Sequence, residues 1–409
     1  MANINRKSFV SNAVLNIISS IIYMAILQLL IYPFLGRNMS AESYGRVLLL
    51  MAICNISSIV FGTALNNARL VVNIDYQKKG LRGDFNPIFS VACVCNVAVV
   101  CVTLLLMNDR FSWAETIVLS ALSVLEMVRN YYAVKYMLEI NFKKVLLQNV
   151  CYAVGGIIGL LLLSVFSLSW ITPFMTAALF ACVYTMFTVN IKEEKFAITP
   201  MFKNTMRVYG LLMITLLLSN VTSYLDRMVL YPFMGGEDVA IYTTAVFFGK
   251  SIFVLMAPIA NVLLSYYARR EKIAVKMFLK QTLIFVIVGV VFYILTLTGV
   301  AKWVTGILYP TLVEGALPYI AIGNMAAIIL VVASMLQPAV LKFCSTRWQP
   351  IIQGIHIALS FGLGLLLLIP YGLIGFCAAA VIANVVKFIM LFVVGLFTLK
   401  KKESTAVLE

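Results

Sequence analysis

Lys250 lies in the stretch YTTAVFFGKSIFVLMAP and Lys387 in VIANVVKFIM, each an isolated cation inside an apolar run. A charge in such surroundings is costly unless it is paired, hydrogen-bonded or wetted. Residues of that kind are where binding or coupling chemistry is to be sought. The stretch TLLLSNVTSYLDR adds Thr215, Ser219, Thr222, Ser223 and Asp226, at i, i+4, i+7, i+8 and i+11. On a helix these form one polar stripe down a single face. Arg227 sits about 100° round the helix from Asp226, so the two do not pair with each other. Lys250 shares a helical face with Thr243 and Asn261, and Lys387 neighbours Asn384. Lys250 and Asp226 either line a cavity or pair with each other. Near the N-terminus, Asn16, Ser19, Ser20 and Tyr23 make a matching stripe.

Other ionisable groups have plainer readings beside the functional ones. Glu126 and Arg129 are three apart and read as a local ion pair, with a gate as the competing reading. Arg46 either snorkels to an interface or lines a cavity. His356, the single histidine, reads as a packed side chain ahead of a proton relay. Within the apolar runs Arg46, Arg227, Lys250 and Lys387 outnumber Asp226 and Glu126. A cleft lined by them is cationic and suits an anion such as a phosphate or diphosphate. One histidine and cysteines scattered through apolar runs give no zinc or haem pattern, so no metal and no cofactor are expected. No G-x-x-x-x-G-K-[ST] segment occurs, which leaves an ion gradient or a downhill substrate gradient as the driving force.

The elements that must carry these charges are membrane helices. Of 409 residues 62% are hydrophobic and 11% charged, against about 25% charged in soluble domains. Mean hydropathy is +1.00. Apolar runs of about 20 residues, enough to span a bilayer as a helix, recur along the chain. Twelve spans are expected, near 9–34, 45–65, 87–107, 113–133, 146–166, 171–190, 207–232, 239–262, 278–299, 316–340, 351–369 and 373–398. An even number puts both termini on one side. Basic residues concentrate in alternate loops, among them Lys78, Lys79 and Arg82, Lys143 and Lys144, Lys342 and Arg347, and Lys400 to Lys402. The opposite loops hold mainly Glu42, Asp109, Glu115, Glu237, Asp238 and Glu314, with Arg37, Arg110 and Lys302. That asymmetry places both termini in the cytoplasm. It also accounts for the net charge of +15 without any nucleic-acid partner.

The chain looks duplicated. IYPFLG at 31–36 returns as LYPFMG at 230–235, and at the same offset Asn16 matches Thr215 and Ser20 matches Ser219. GLLLL at 159–163 returns at 364–368. Six spans separate the copies, so they run parallel, as in transporters built from two six-helix halves. The expected halves are 1–195 and 196–409, joined through IKEEKFAITPMFKNTMR. Pro33 and Pro232 should kink or end their helices, with Gly36 and Gly235 turning the chain.

The segments IYPFLGRNMSAESYGRVLLL and SYLDRMVLYPFMGGEDVAIYTTAVFFGK, set in twelve spans and two parallel halves, resemble the polysaccharide-exporter branch of the multidrug/oligosaccharidyl-lipid/polysaccharide (MOP) superfamily. The member type they most resemble is the Wzx-type O-antigen repeat-unit flippase. The resemblance implies an all-α integral membrane protein with a MATE-like pair of six-helix bundles in the bacterial inner membrane. It implies a transporter rather than an enzyme. The cargo would be an undecaprenyl-diphosphate-linked oligosaccharide, flipped by alternating access to the periplasmic leaflet. Arg46, Arg227, Lys250 and Lys387 would meet the diphosphate and acidic sugars, and Asp226 would take part in coupling. The prenyl tail would stay in the bilayer. A polysaccharide polymerase and a chain-length regulator are the implied partners of a monomeric chain.

Other classes fit less well. A MATE-type drug exporter would take cations and want an acidic cavity. A major-facilitator transporter has the span number but a basic pattern between spans 2 and 3 that NNARLVVNIDYQKKGLRGDF lacks. A polymerase or membrane glycosyltransferase would need a sizeable outer loop or an acidic catalytic cluster.

Overall fold

The computed structural model describes residues 6–107, 112–189, 196–268, 273–345 and 347–408. Every regular element among them is a helix. α1 (Arg6–Ala25) continues through a π-helical stretch, Ile26–Ile31, into α2 (Tyr32–Asn38). Pro33 explains that stretch: it has no N–H to offer the carbonyl four residues back, so the ladder widens just ahead of it. Tyr32 donates its N–H to the Leu27 carbonyl, five residues back. The helix does not end at Pro33, and Gly36 does not turn the chain. Gly36 allows a close approach instead, since a Cβ there would lie 2.8 Å from the Tyr309 ring.

The second hexapeptide behaves as expected. Pro232 lies near the end of α9 (Phe202–Met234), and Gly235 adopts φ 89°, a left-handed conformation open to glycine. Between the two come α3 (Ala41–Ser58), a second π-helical stretch Ile59–Thr63, α4 (Ala64–Lys78), α5 (Phe85–Met107) and α6 (Trp113–Leu138). They are followed by α7 (Phe142–Phe166) and α8 (Thr172–Thr188). After α9 come α10 (Gly236–Ala245), α11 (Phe247–Ala268), α12 (Val275–Leu297) and the short α13 (Val300–Leu308). α14 (Val313–Phe343) and α15 (Trp348–Leu408) complete the chain.

Among the described residues nine helices are long and apolar enough to cross a membrane, or ten if α10 and the start of α11 count as one span bent by 57°. The expected sixth span is α8, an apolar helix of 17 residues and shorter than a full span. The expected eleventh and twelfth spans lie in α15, which breaks at Gly372 with φ 59°. The chain is a multi-pass membrane protein. Its outward face shows why: Leu106, Phe187, Leu366 and Ile369 are each about two-thirds exposed or more, as lipid-facing residues are.

The chain forms two compact units, 1–32 with 47–224 and 33–46 with 225–409. The boundary expected from the repeat abuts residues 190–195, which lie outside the described residues. In the first unit an aromatic-rich core gathers Tyr76, Phe85, Tyr131, Tyr132 and Tyr136. α7 and α8 approach closely because Gly155 and Gly159 have no Cβ. One added at Gly155 would lie 2.6 Å from the Thr176 carbonyl, and one at Gly159 would meet the Thr176 side chain. The fully buried Asp84 accepts the Thr199 N–H at 2.6 Å and the hydroxyls of Tyr76 and Thr199, tying the 79–84 turn to residues 197–199.

In the second unit Gly45 and Gly236 bring α3 and α10 together backbone to backbone. A Cβ on Gly45 would collide with the Gly236 carbonyl, and one on Gly236 with the Glu42 carbonyl. Glu42 accepts the Glu237 N–H at 2.9 Å and so sits at the positive end of α10. Arg37 donates to the Leu308 carbonyl at 3.0 Å and also to that of Ile307, closing the C-terminus of α13.

Candidate functional site

The intramembrane charges gather into three clusters. In the second unit Asp226 of α9 and Lys250 of α11 form an ion pair, Nζ to Oδ2 at 2.6 Å. The Asp226 side chain is 10% exposed and that of Lys250 is 40% exposed, so the pair has a buried end and an open one. Lys250 Nζ also lies 5.8 Å from the centre of the Tyr242 ring. Arg227 is buried beside Asp226, and Arg46 is partly buried at the start of α3.

What positions Lys250 is the break between α10 and α11. A broken membrane helix leaves backbone groups that only protein can satisfy. The fully buried Asn324 of α14 satisfies two of them. Its Nδ2 donates to the Ala245 carbonyl at 2.7 Å. Its Oδ1 accepts the N–H of Gly249, the residue before Lys250, at 2.6 Å. Helical spacing alone does not point to Asn324, although a lone amide in IAIGNMAAIIL is a signal that could find it.

The second cluster lies in the first unit. Arg129 Nε and Nη2 both reach Glu126 Oε2, at 2.9 and 2.8 Å, and both residues are buried. The guanidinium also lies over two rings, 4.4 Å from the centre of Tyr23 and 5.0 Å from that of Tyr152. Its Nη1 donates to Asn149 Oδ1 at 3.3 Å, and Asn149 Nδ2 donates to Ser19 Oγ at 2.8 Å. Ser19 in turn donates to the Val145 carbonyl. The pair expected within α6 is therefore part of a network joining α1, α6 and α7.

The third cluster is in α15, where Lys387 donates to Gln353 at 3.4 Å and His356 meets Asn384 at 2.8 Å. Lys387 is buried and makes no ion pair among the described residues. The expected polar stripes divide. Ser19 turns inward, while Asn16, Ser20, Ser219 and Ser223 are exposed and Thr222 is partly so. The hydroxyls of Ser20, Thr222 and Ser223 each donate to the carbonyl four residues back on their own helix. The side chain of Asn261 lies outside the described residues. No three His, Cys, Asp or Glu side chains converge for a metal among the described residues.

No family model matches the chain, and no curated protein sequence does. Solved structures do. The fold is similar to that of lipid II flippase MurJ in an inward closed conformation, with TM-score 0.66 and 15% identity over 96% of this chain and 87% of that one. It is similar to an inward-facing multidrug resistance MATE transporter of the MOP superfamily, with TM-score 0.63 and 13% identity over 96% and 99%. A mutant of the Vibrio cholerae MATE transporter VcmN aligns with TM-score 0.59 and 12% identity over 97% of each chain. At these identities the likeness is one of fold.

Proposed function

We propose that this chain is a flippase for an anionic, lipid-linked glycan, an undecaprenyl-diphosphate-linked oligosaccharide repeat unit. It acts in the bacterial inner membrane, with both termini cytoplasmic and cargo moving to the periplasmic leaflet. The observation that carries the reading is the Asp226–Lys250 pair. Asp226 anchors the lysine from the buried side, and Asn324 fixes the helix break beside it. The lysine side chain, open along part of its surface, is left as a preorganised cation for a phosphate oxygen. The similarity in fold to a lipid II flippase supports the same direction.

The experiment is replacement of Lys250 in cells that depend on this chain for surface glycan. Lys250→Ala should reach the membrane in normal amount and lose glycan export, and Lys250→Arg should keep part of it. Normal surface glycan in the Lys250→Ala strain would sink the proposal. The competing reading is a cation exporter, supported by alignment over nearly the whole length of the MATE transporter. It requires resistance to cationic drugs that is lost with Asp226→Asn while glycan export persists.

A further inference from the structure

The two limbs of α15, before and after Gly372, meet through two polar rungs in antiparallel register. Gln353 pairs with Lys387, and His356, three residues on, pairs with Asn384, three residues back. The second rung fixes a tautomer. Asn384 Nδ2 donates to the Ala326 carbonyl of α14 at 2.8 Å, which turns its Oδ1 toward the imidazole. An amide oxygen only accepts, so Nε2 of His356 carries the hydrogen. In the neutral ring Nδ1 is then a bare lone pair. That atom is buried and has no hydrogen-bond partner among the described residues, in a side chain 3% exposed.

Lys387 is the other basic group here. Its rung lies one helical turn from that of His356. α14 and α12 pack against α15. α14 presents the Ala326 carbonyl, α10 brings Tyr242 against Phe376 of the second limb, and no carboxylate pairs with either base among the described residues. Two cations one helical turn apart in a medium of low dielectric, with no carboxylate to compensate, repel. The cluster therefore has two places for a proton charge and tolerates one. Gln353, on the Lys387 rung, is partly exposed.

We propose that His356 and Lys387 form a one-proton site within the membrane, its charge held on Nζ of Lys387 or on Nδ1 of His356. Proton uptake and release there would couple transport to a proton gradient. Only that use of the proton rests on the transporter reading.

Because His356 is the single histidine, labelled histidine reports on this residue alone. The test is nitrogen-15 NMR of the full chain in lipid nanodiscs, compared between wild type and Lys387→Met. At about pH 6 the wild-type ring should show the neutral Nε2–H tautomer. In Lys387→Met the protonated fraction at the same pH should rise about tenfold or more. A Nδ1–H tautomer in wild type would overturn the proposal, as would a protonated fraction unmoved by removing Lys387. Should Lys387→Met fail to fold, the wild-type spectrum still decides the tautomer, and Lys387→Arg should reproduce it. No cargo enters this measurement, so its failure and a failure of the glycan reading are separable.

Discussion

Asp226 and Lys250 stand on different helices, 24 residues apart in sequence, and hold each other at 2.6 Å. Removing one partner of a buried pair leaves an uncompensated charge, at a cost of about 3–5 kcal/mol. The partial exposure of Lys250 lowers the expected loss to about 1–3 kcal/mol. A double-mutant cycle with Asp226→Asn and Lys250→Met, read by thermal unfolding in detergent, should show the double variant recovering part of each single loss. Strict additivity would mean that the pair carries no coupling.

Arg129 combines an ion pair with contacts to two rings. Arg129→Lys keeps the charge but loses the planar group that lies over Tyr23 and Tyr152. It should still lower stability by about 1 kcal/mol. Arg129→Met leaves Glu126 alone in the core and should cost about 3 kcal/mol or more, part of it restored by adding Glu126→Gln. Melting temperatures of the four proteins check the order.

Gly45 and Gly354 provide a matched pair of substitutions. Ala at Gly45 meets the Gly236 carbonyl and should destabilise by about 2 kcal/mol or more, or force α3 and α10 apart. Ala at Gly354 has nothing within 4 Å and removes a helix-interior glycine. It should be neutral or stabilising by about 0.5–1 kcal/mol. Equal effects at both positions would refute the close approach.

Asp84 holds Thr199 through its N–H and hydroxyl, and also accepts the Tyr76 hydroxyl. Asp84→Ala strands those donors and puts a residue that resists left-handed backbone at φ 68°. Limited proteolysis should cleave near 196–201 faster in this variant, while Asp84→Asn gives an intermediate rate. Unchanged cleavage in Asp84→Ala would show that the clasp does not hold the segment.

The apolar runs announced the helices because crossing a bilayer needs about 20 such residues whatever their partners. The Glu126–Arg129 pair was equally open to reading, since residues three apart meet on one helix. The ring contacts of Arg129 were not, because α1 and α7 lie more than a hundred residues apart along the chain from each other. Gly36 and Gly235 stand at matching places in the two hexapeptides and do different work. A glycine serves either a turn or a close contact, and the neighbours choose between them.

The sequence alone determined the solvent of this protein and which charges would be expensive there, because both follow from the side chains and the bilayer. Tertiary structure decided between the readings that spacing left open, and it set partners that spacing did not name. Lys250 found a carboxylate, and Lys387 found an amide beside the single histidine. Helical period fixes neighbours within a helix, whereas contacts between helices depend on packing that no local spacing encodes.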